Sequence, residues 1–226
     1  LDHDDRGAHL PDPRVLLPLN EFRDVRTAFS GRPVLRGLSW KVKKGEVFVL
    51  MGPSGSGKST TLLHIVGVHR PDAGHVLVQG VDVAQVGHEE LQLLRQKIGF
   101  VFQGAALLNW LSVYDNVALP LREAQRVSED EVEKRVKEAL EEVLLWEDRE
   151  KLPQELSGGM RKRAGLARAV VTRPELVLYD DPTAGLDPAM SATIEALILR
   201  LKSKLGVTSV VVTHDVRLAS TVADRI

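Results

Sequence analysis

Residues 52–60 read Gly52-Pro53-Ser54-Gly55-Ser56-Gly57-Lys58-Ser59-Thr60, with two glycines five positions apart and a Lys-Ser pair directly after the second. This spacing is that of a phosphate-binding loop. The apolar run Val47 to Met51 precedes it as a predicted buried strand, and Thr60 to Val68 follows as a predicted helix. Glycines let backbone N–H groups converge on phosphate oxygens, and the helix dipole strengthens their attraction. The register of strand, loop and helix predicts binding of a nucleoside triphosphate rather than a glycine-rich turn with a chance lysine.

Side chains within and beyond this loop predict a magnesium site. Lys58 can reach the β- and γ-phosphates of a nucleotide, and the Ser59 hydroxyl can ligate Mg²⁺. The apolar strand Leu176 to Tyr179 ends in the carboxylates Asp180 and Asp181. A carboxylate at the tip of such a strand faces the Mg²⁺ site of a phosphate-binding loop. Asp180 by itself also fits a cap or a turn, but its place after the strand favours the metal.

The overall composition excludes several classes of protein. Thirty basic and thirty-one acidic side chains among 226 residues leave a formal charge of −1. Nucleic-acid-binding proteins usually carry a basic excess, so no nucleic-acid partner is expected. The chain has no cysteine, which excludes disulfides and thiolate metal sites. Its acidic, polar start has no signal-peptide pattern and no uncharged run reaches the length of a bilayer span, so we expect a chain that is soluble by itself.

Hydrophobic patterning divides the chain into an N-terminal arm and one α/β domain. Residues 1–19 contain three prolines and no apolar period, which predicts an irregular arm before the domain of residues 20–226. Between Glu21 and Leu50, short β-type runs at Phe22–Phe29, Leu38–Val42 and Val47–Met51, with another at residues 75–80, predict a small, largely antiparallel sheet. Continuous apolar runs at residues 98–102, 176–179 and 209–212 are typical of strands covered on both faces. Helices are predicted after a Ser128–Glu131 capping box and from Met190 to Leu205.

The order of these motifs resembles that of the ATP-binding-cassette (ABC) ATPases, over roughly Glu21 to Ile226. The six matching motifs, in the family's order, are Walker A at Gly52–Thr60, the Q-loop at Gln103, the signature motif at Leu156-Ser157-Gly158-Gly159-Met160, Walker B at Asp180, the D-loop at Ala184-Gly185-Leu186-Asp187 and the H-loop at His214. The resemblance implies an α/β P-loop NTPase fold with a RecA-like core, an antiparallel β-subdomain and an α-helical subdomain at about residues 104–165. It also implies ATP as the nucleotide and a homodimer that sandwiches two ATPs.

In such a dimer, each site combines the Walker A loop of one chain with the signature motif of the other. Ser157, Gly158 and Gly159 begin a basic helix, and a helix N-terminus attracts anions. Ser-Gly-Gly alone is typical of a turn. Because no phosphate is expected beside it in the monomer, the motif makes sense when a partner delivers a γ-phosphate.

The resemblance also implies roles for individual residues. The implied catalytic residues are Lys58, Gln103, Asp181 and His214. The implied metal ligands, direct or through water, are Ser59, Gln103 and Asp180. The residues implied to act on the partner's nucleotide are Ser157, Gly158, Gly159 and Asp187. Phe29 stands in the place of the aromatic that stacks on adenine. An ordinary packed aromatic and a structural histidine are the alternatives for Phe29 and His214.

The chain departs from the family pattern in three places. Asp181 stands where most relatives have a glutamate that positions or activates the hydrolytic water. Its side chain is one methylene shorter, so it must approach the water differently or act through a second water, and whether this slows turnover stays open at the level of sequence. Met160 replaces the common glutamine of the signature motif. The chain stops at Ile226, where relatives usually continue into further strands, so a truncated C-terminal end is expected.

A narrower resemblance concerns Gly104–Glu123 and Leu156–Arg163. Both segments are similar to those of Mla-type, or MCE-associated, ATPases, which serve lipid-importing systems. The resemblance implies lipid or phospholipid transport, MCE-type lipid-binding companion proteins, and a peripheral place on the cytoplasmic face of the inner membrane. It also implies that integral membrane permease subunits dock near Gln103–Tyr114. Trp110, Leu111 and Tyr114 are expected contacts there, or core residues of the helical lobe.

Other functional classes remain open at the level of sequence. One is a cassette ATPase that regulates a membrane complex, as in cell division, and another is a transporter of a different substrate. A third class comprises cassette proteins of DNA repair or translation. That class usually needs a long coiled-coil insertion or two cassettes in one chain, and neither is visible in this sequence.

Overall fold

The structure is a computed structural model that describes residues 18–124 and 127–226. Within these residues the strands form two four-stranded sheets. The antiparallel sheet, in the order β2-β1-β4-β5, contains β1 (Asn20–Phe29), β2 (Arg32–Val42), β4 (Ala73–Val78) and β5 (Val81–Asp82). The parallel sheet, in the order β3-β8-β7-β6, contains β3 (Val47–Met51), β6 (Ile98–Val101), β7 (Leu176–Asp180) and β8 (Thr208–Thr213). The α-helices are α1 (Lys58–Ile65), α2 (His88–Arg95), α3 (Val113–Ala124), α4 (Glu129–Glu142), α5 (Gly158–Val170), α6 (Pro188–Leu205) and α7 (Val216–Val222).

The predicted antiparallel sheet and buried parallel strands are both present, but Val47–Met51, predicted with the antiparallel runs, forms β3 and pairs with β8 in the parallel sheet. The bounds of other elements are shifted. β2 begins at Arg32 rather than Leu38, because residues 32–36 already pair with β1 beyond the turn at Ser30 and Gly31. Helix α1 ends at Ile65 rather than Val68, since Gly67 adopts a left-handed conformation with φ of 64°. Most of the predicted N-terminal arm lies outside the described residues.

The parallel sheet separates two hydrophobic cores. Alternate side chains of a strand point to opposite faces. Val177 and Tyr179 of β7 accordingly join α3, α4, α5 and α6 in one core, whereas Leu176 and Leu178 join α1, α2 and the antiparallel sheet in the other. All six residues of β8 are buried. This coverage on both faces explains why these strands read as continuous apolar runs.

Helix α4 begins where the capping box predicts. The Ser128 hydroxyl accepts a hydrogen bond from the backbone N–H of Glu131 at 3.4 Å. The carboxylate of Glu131 pairs with Arg135 at 2.6 Å, one turn further along the helix. The N-cap is therefore present, and the side chain that would complete the box stabilises the first turn of the helix instead.

A buried histidine ties α1 to the antiparallel sheet. The Nδ1 of His64 lies 2.8 Å from the carbonyl oxygen of His69, and its Nε2 lies 2.9 Å from the Thr27 hydroxyl. Because a carbonyl oxygen can only accept, Nδ1 carries the proton and the Thr27 hydroxyl donates to Nε2. Burial lowers the pKa of His64; the nearby His69 lowers it further, whereas the His69 carbonyl and Asp72 act in the opposite sense. His64 is therefore held in its neutral form.

This environment predicts a pH dependence of stability. The folded-state pKa of His64 lies below its ordinary value, so its contribution to stability is present above about pH 6.5 and is lost as the pH falls through the folded pKa. We expect the free energy of unfolding to decrease by up to about 1.4 kcal/mol per pH unit from this group as the pH falls below about 6.5. Denaturant unfolding of the parent chain and His64→Asn at several pH values measures the difference. Equal pH slopes for both proteins would contradict the prediction.

Candidate functional site

The phosphate-binding loop lies between β3 and α1, as its spacing predicts. Gly55 and Gly57 adopt left-handed conformations with φ of 79° and 93°. Gly57 is also crowded, since a Cβ atom there would lie 2.8 Å from Cγ1 of Val34 on β2. Glycine at position 57 is therefore required twice, by its backbone conformation and by the close approach of β2.

A cavity of about 370 Å³ opens in front of this loop. Its lining residues are Val34, Ser54, Gly55, Gly57, Lys58, Ser59, Thr60, Gln103, Asp180 and Asp181. Gly52, Pro53 and Ser56 line a neighbouring cavity beside β2. The Lys58 ammonium donates hydrogen bonds to the carbonyl oxygens of Gly52 at 2.7 Å and Pro53 at 2.9 Å. Most of the loop, including Lys58, thus lines one cavity together with Gln103, Asp180 and Asp181.

Oxygen atoms suited to a magnesium ion meet in this cavity. The Ser59 hydroxyl donates to Oδ1 of Asp180 at 2.8 Å, and Gln103 lines the same cavity from the end of β6. Burial raises the pKa of Asp180, and the charge of Asp181 raises it further, while the Ser59 hydrogen bond and the charges of Lys58 and Lys162 oppose the shift. A cation beside Asp180 would compensate this buried charge. Hydroxyl, carboxylate and amide oxygens are donors that Mg²⁺ accepts, so the residues fit the ion.

The donor set also indicates that phosphate completes such a site. Within residues 18–124 and 127–226, three or more His, Asp or Glu side chains nowhere cluster as a metal cage. Mg²⁺ in nucleotide-binding proteins typically takes one or two carboxylates together with substrate phosphates and water. The geometry of Ser59 and Asp180 agrees with that pattern, and their role as metal ligands stays a prediction.

Asp181 is held by two side chains from the end of β8. The Thr213 hydroxyl donates to its Oδ1 at 2.9 Å, and Nδ1 of His214 lies 2.6 Å from its Oδ2. The backbone of Asp181 is itself unusual, with a left-handed φ of 44°, and its N–H donates to the carbonyl oxygen of Val212 at 2.9 Å. The structure therefore brings the predicted catalytic carboxylate and the predicted histidine into direct contact.

Phe29 lies apart from this cluster. It ends β1 and does not line the cavity at the phosphate-binding loop. Its side chain is 42% exposed, and its ring meets the ring of His69 edge to face with 5.3 Å between centroids. A half-exposed ring leaves a face available for a base to stack on, so the adenine role stays a prediction.

In the signature motif, Ser157 and Gly158 are exposed, whereas Gly159 is buried. Ser157 is exposed and caps α5 by accepting a hydrogen bond from the N–H of Met160 at 3.2 Å. Gly159 is buried, and a Cβ atom there would lie 2.6 Å from Sδ of Met190 on α6. Asp187 caps α6 by accepting from Ala189 and Met190, both at 2.9 Å. Neither Ser157 nor Asp187 lines the cavity at the phosphate-binding loop.

Sequence reasoning missed three residues that shape the site. Val34 lines the cavity from β2, and Thr213 holds Asp181. Lys162 of α5 is buried, with its Nζ 3.4 Å from the carbonyl oxygen of Asp181, and burial lowers its pKa. Thr213 directly precedes His214 of the H-loop and Lys162 lies in the helix after the signature motif, but no spacing predicts their long-range contacts with Asp181. Only a charged side chain within an otherwise apolar helical face could have drawn attention to Lys162.

The fold and the site together define a P-loop nucleotide-binding domain. The family profile described as "ABC transporter" matches residues 35–184. The chain therefore belongs to the ABC transporter family, and its fold is that of the family's nucleotide-binding domain, as the motif order predicts. Within the residues that the structure describes, none of the helices has the length and apolar character needed to cross a bilayer.

Individual relatives agree with this assignment. The chain is 41% identical over 204 residues to the probable ribonucleotide transport ATP-binding protein Mkl of Mycobacterium leprae, covering 90% of this chain and 59% of the relative. It is 43% identical over 208 residues to the methionine import ATP-binding protein MetN of Carboxydothermus hydrogenoformans, covering 91% and 61%. This chain thus spans about six tenths of the length of these relatives.

A solved structure shows the same fold. The post-hydrolysis dimer of the ATP-binding cassette MJ0796, bound to ADP and Pi, superimposes with a TM-score of 0.81 and 35% sequence identity. The similarity covers 89% of this chain and 90% of that one. A cassette with this architecture therefore exists as a dimer with nucleotide products bound.

The geometry of the loop predicts the effect of removing Lys58. Lys58→Ala removes the ammonium from the loop, and with it the charge contact that the motif predicts between Lys58 and the phosphates. We expect ATP affinity to fall by about 100-fold or more, the scale of losing one charged donor in a preorganised site. Isothermal titration with Mg·ATP measures the change. Lys44→Ala, at an exposed position outside this cavity, is the control, and unchanged affinity in Lys58→Ala would contradict the prediction.

Proposed function

We propose that this chain is the ATP-hydrolysing subunit of a membrane transporter and acts as a homodimer with Mg²⁺ as cofactor. The observation that carries the proposal is the meeting of the two Walker B carboxylates with the loop and with His214. Asp180 is bonded to Ser59 of the loop, and the adjacent Asp181 is bonded to His214. These contacts join, at one edge of the sheet, groups that bind phosphate and metal and groups that act on water.

The two carboxylates have different surroundings and are assigned different tasks. Asp180 is partly buried, and its proposed task with Ser59 is to bind the metal. Mg²⁺, when bound, withdraws negative charge from the phosphate oxygens and holds them in place. Asp181 accepts hydrogen bonds from Thr213 and His214, which fix its orientation beside the cavity.

Asp181 is proposed to orient the attacking water and to accept its proton. Its carboxylate lines the cavity and makes charge-assisted hydrogen bonds at 2.6 and 2.9 Å, so its rotamer is restricted. Catalysis of phosphoryl transfer depends mainly on positioning and electrostatics. Because His214 contacts Asp181, the histidine is proposed to contact the same water and the γ-phosphate. The short side chain of Asp181 is held in place by Thr213 and His214 at the end of β8.

The homodimer is proposed because each chain holds half of two sites. Ser157 and Gly158 are exposed at the N-terminus of the 13-residue helix α5, where backbone N–H groups attract anions. They do not line the cavity of their own chain. A second copy can place its γ-phosphate there. The nucleotide-bound dimer of the MJ0796 cassette supports this arrangement.

These assignments predict opposite effects of two substitutions. Asp181→Asn keeps the size of the side chain but cannot accept the proton, so turnover should fall by about 100-fold or more while ATP binding persists. The variant should accumulate as an ATP-bound dimer. Ser157→Arg should also retain ATP binding, but its bulk at the start of α5 should prevent dimer formation. Sedimentation velocity with Mg·ATP distinguishes the two outcomes.

Two further variants complete this experiment. Asp181→Glu restores the common family residue and should remain active. Asp181→Asn combined with Ser157→Arg should be monomeric in ATP. Parental turnover in Asp181→Asn would exclude Asp181 as the catalytic carboxylate and leave His214 as the next candidate. A stable dimer of the double variant would contradict the placement of the signature motif in the partner's site.

The segment Gln103–Tyr114 is proposed to dock the membrane subunits. Trp110 is 75% exposed at the tip of the loop before α3, whereas Leu111 and Tyr114 are half-buried. The fully buried Asn116 organises this loop by bonding the N–H and carbonyl of Leu108 and the carbonyls of Leu111 and Ser112. A large exposed aromatic on a rigidly held loop is typical of an interface anchor.

Lipid is proposed as the transported substrate, with MCE-type lipid-binding companions. The support is the resemblance of Gly104–Glu123 and Leu156–Arg163 to Mla-type ATPases. The names of the relatives describe other substrates, a ribonucleotide for Mkl and methionine for MetN. These substrates are the competing outcomes, because substrate recognition in such systems lies in other subunits.

A charge introduced at Trp110 tests the proposed docking of the membrane subunits. Trp110→Glu should leave the unfolding temperature of the isolated chain within about a degree, since an exposed substitution changes stability little. In cells, the tagged variant should recover far less of its membrane subunits, because an unpaired charge in the contact costs several kcal/mol. Leu144→Glu, at another exposed apolar position, is the matched control.

Mass spectrometry of the complex recovered with the parent chain identifies the cargo. Bound phospholipid or other lipid supports the lipid assignment. Reproducible recovery of nucleotide or methionine without lipid would exclude it and leave the ATPase assignment intact. A membrane partner with few helices and no companion that binds substrate would indicate a regulatory complex instead.

A further inference from the structure

Two consecutive alanines directly after the Q-loop adopt a strained backbone. Ala105 and Ala106 have φ of 62° and 50°, in the left-handed region that residues with a Cβ atom disfavour. Glycine is the usual residue in such a conformation, and neither position has one. Strained backbone persists only where surrounding contacts enforce it, and it concentrates at functional segments. These two residues connect Gln103 to the loop that carries Trp110.

One arginine of α5 provides the contacts that enforce this conformation. Nη2 of Arg168 donates to the carbonyl oxygen of Ala105 at 2.6 Å, and Nη1 donates to the carbonyl oxygen of Ala106 at 2.7 Å. One turn earlier, Gly165 allows the close approach, since a Cβ atom there would lie 3.2 to 3.3 Å from atoms of Ala105. The planar fork of a guanidinium suits two adjacent acceptors in a way that an ammonium does not.

The Arg168 guanidinium in turn relies on the carbonyl oxygens of Ala105 and Ala106 as hydrogen-bond acceptors. Arg168 forms no ion pair with any residue that the structure describes, and burial lowers its pKa. A charged group in such surroundings is stable only when hydrogen-bonded. If Ala105 and Ala106 left their present conformation, the guanidinium would lose both carbonyls. The conformation of Ala105 and Ala106 is therefore coupled to the position of the Arg168 guanidinium.

We propose that Arg168 is a positioning residue. By holding Ala105 and Ala106 in the left-handed conformation, it fixes the segment Gln103–Tyr114 relative to α5. The inference rests on the proposed function, which places Gln103 at the Mg²⁺ site and Ser157 at the partner's nucleotide. Ser157 and Arg168 lie at opposite ends of α5, about 16 Å apart along a helix at 1.5 Å per residue. Movement of the signature end of this rigid helix is therefore transmitted to the Q-loop through Arg168.

The first test uses the nucleotide-free chain. Arg168→Lys keeps the charge but cannot bond both carbonyls, so amide hydrogen exchange at residues 104–108 should accelerate by about tenfold, the effect of losing one charged hydrogen bond. Adding Ala106→Gly should slow that exchange again by roughly two- to fivefold, since glycine tolerates the left-handed conformation. Ala106 is exposed, so this change removes no buried contact.

The chain offers a matched control on the same helix. Nη1 of Arg163 donates to the carbonyl oxygens of Val143 at 2.7 Å and Leu144 at 3.0 Å, and Leu144 also has a left-handed φ of 55°. Arg163→Lys should therefore accelerate exchange at residues 143–145 and leave residues 104–108 unchanged. Arg168→Lys and Arg163→Lys thus make the same chemical change to two arginines that bond different loops.

The second test measures the Mg²⁺ concentration that gives half-maximal ATP hydrolysis. Arg168→Lys should raise it by about tenfold, as Gln103→Ala should, whereas Arg163→Lys should not. If Gln103→Ala leaves this concentration unchanged, the metal role of Gln103 is wrong, and the exchange data still decide the role of Arg168. Unchanged exchange at residues 104–108 in Arg168→Lys, or no effect of Ala106→Gly on it, would overturn the inference.

A further pair of variants decides the matter if Arg168→Lys does not fold. In the parent chain, Ala106→Val should accelerate exchange at residues 104–108, because a β-branched side chain disfavours the left-handed conformation. Ala106→Gly should slow it. Equal exchange in the two variants would show that the segment is not held under strain, and the inference would fail.

Discussion

The parallel pairing of β3, β8, β7 and β6 places the carboxyl ends of four strands at one edge of the sheet. Met51 pairs with Thr213, Asp180 with Val212, and Val101 with Tyr179. The residues that follow each strand therefore meet: the phosphate-binding loop after β3, Gln103 after β6, Asp181 after β7 and His214 after β8. Ligands of open α/β sheets bind at this edge. A shift in the register of one strand would move its functional residue away from all the others.

Helix α5 connects this edge to the rest of the chain. Its N-terminus presents Ser157 outward, its middle places Lys162 beside the carbonyl of Asp181, and its last turns place Arg168 on Ala105 and Ala106. Each contact joins α5 to a different functional segment. A helix is a stiff element, so the three segments share one mechanical support. This arrangement accounts for the buried Lys162 and the half-buried Arg168 in a helix that otherwise packs against the apolar core.

Local contacts explain how Asp181, which stands in place of the usual glutamate, is oriented. Asp181 has a left-handed backbone and a carboxylate bonded by Thr213 and His214. Both partners lie at the end of β8, which is adjacent to β7 in the sheet. The Thr213 hydroxyl also accepts a hydrogen bond from the N–H of Asp215, which caps α7. The predicted catalytic carboxylate is therefore part of a polar network at the ends of β7 and β8.

The sequence alone determined the features that are local in the chain. The glycine spacing and its flanks predicted the loop at residues 52–60, and the apolar runs predicted β3, β7 and β8, because backbone conformation and burial act on neighbouring residues. The bounds of β2 and α1 were less accurate, since pairing across a turn and the conformation of Gly67 override the apolar pattern. The order of the motifs also predicted the ABC family, which the comparisons confirm.

Only the tertiary structure decided the contacts between distant residues. Thr213 on Asp181, Val34 against Gly57, and Arg168 on Ala105 and Ala106 join segments that no spacing rule relates. Each depends on the packing of whole elements, which sets where a side chain ends and which acceptor it meets. The types of residue at the site follow from chemistry that the sequence displays. Their partners follow from the sheet order and from the position of α5, because hydrogen bonds require distances that only the folded chain provides.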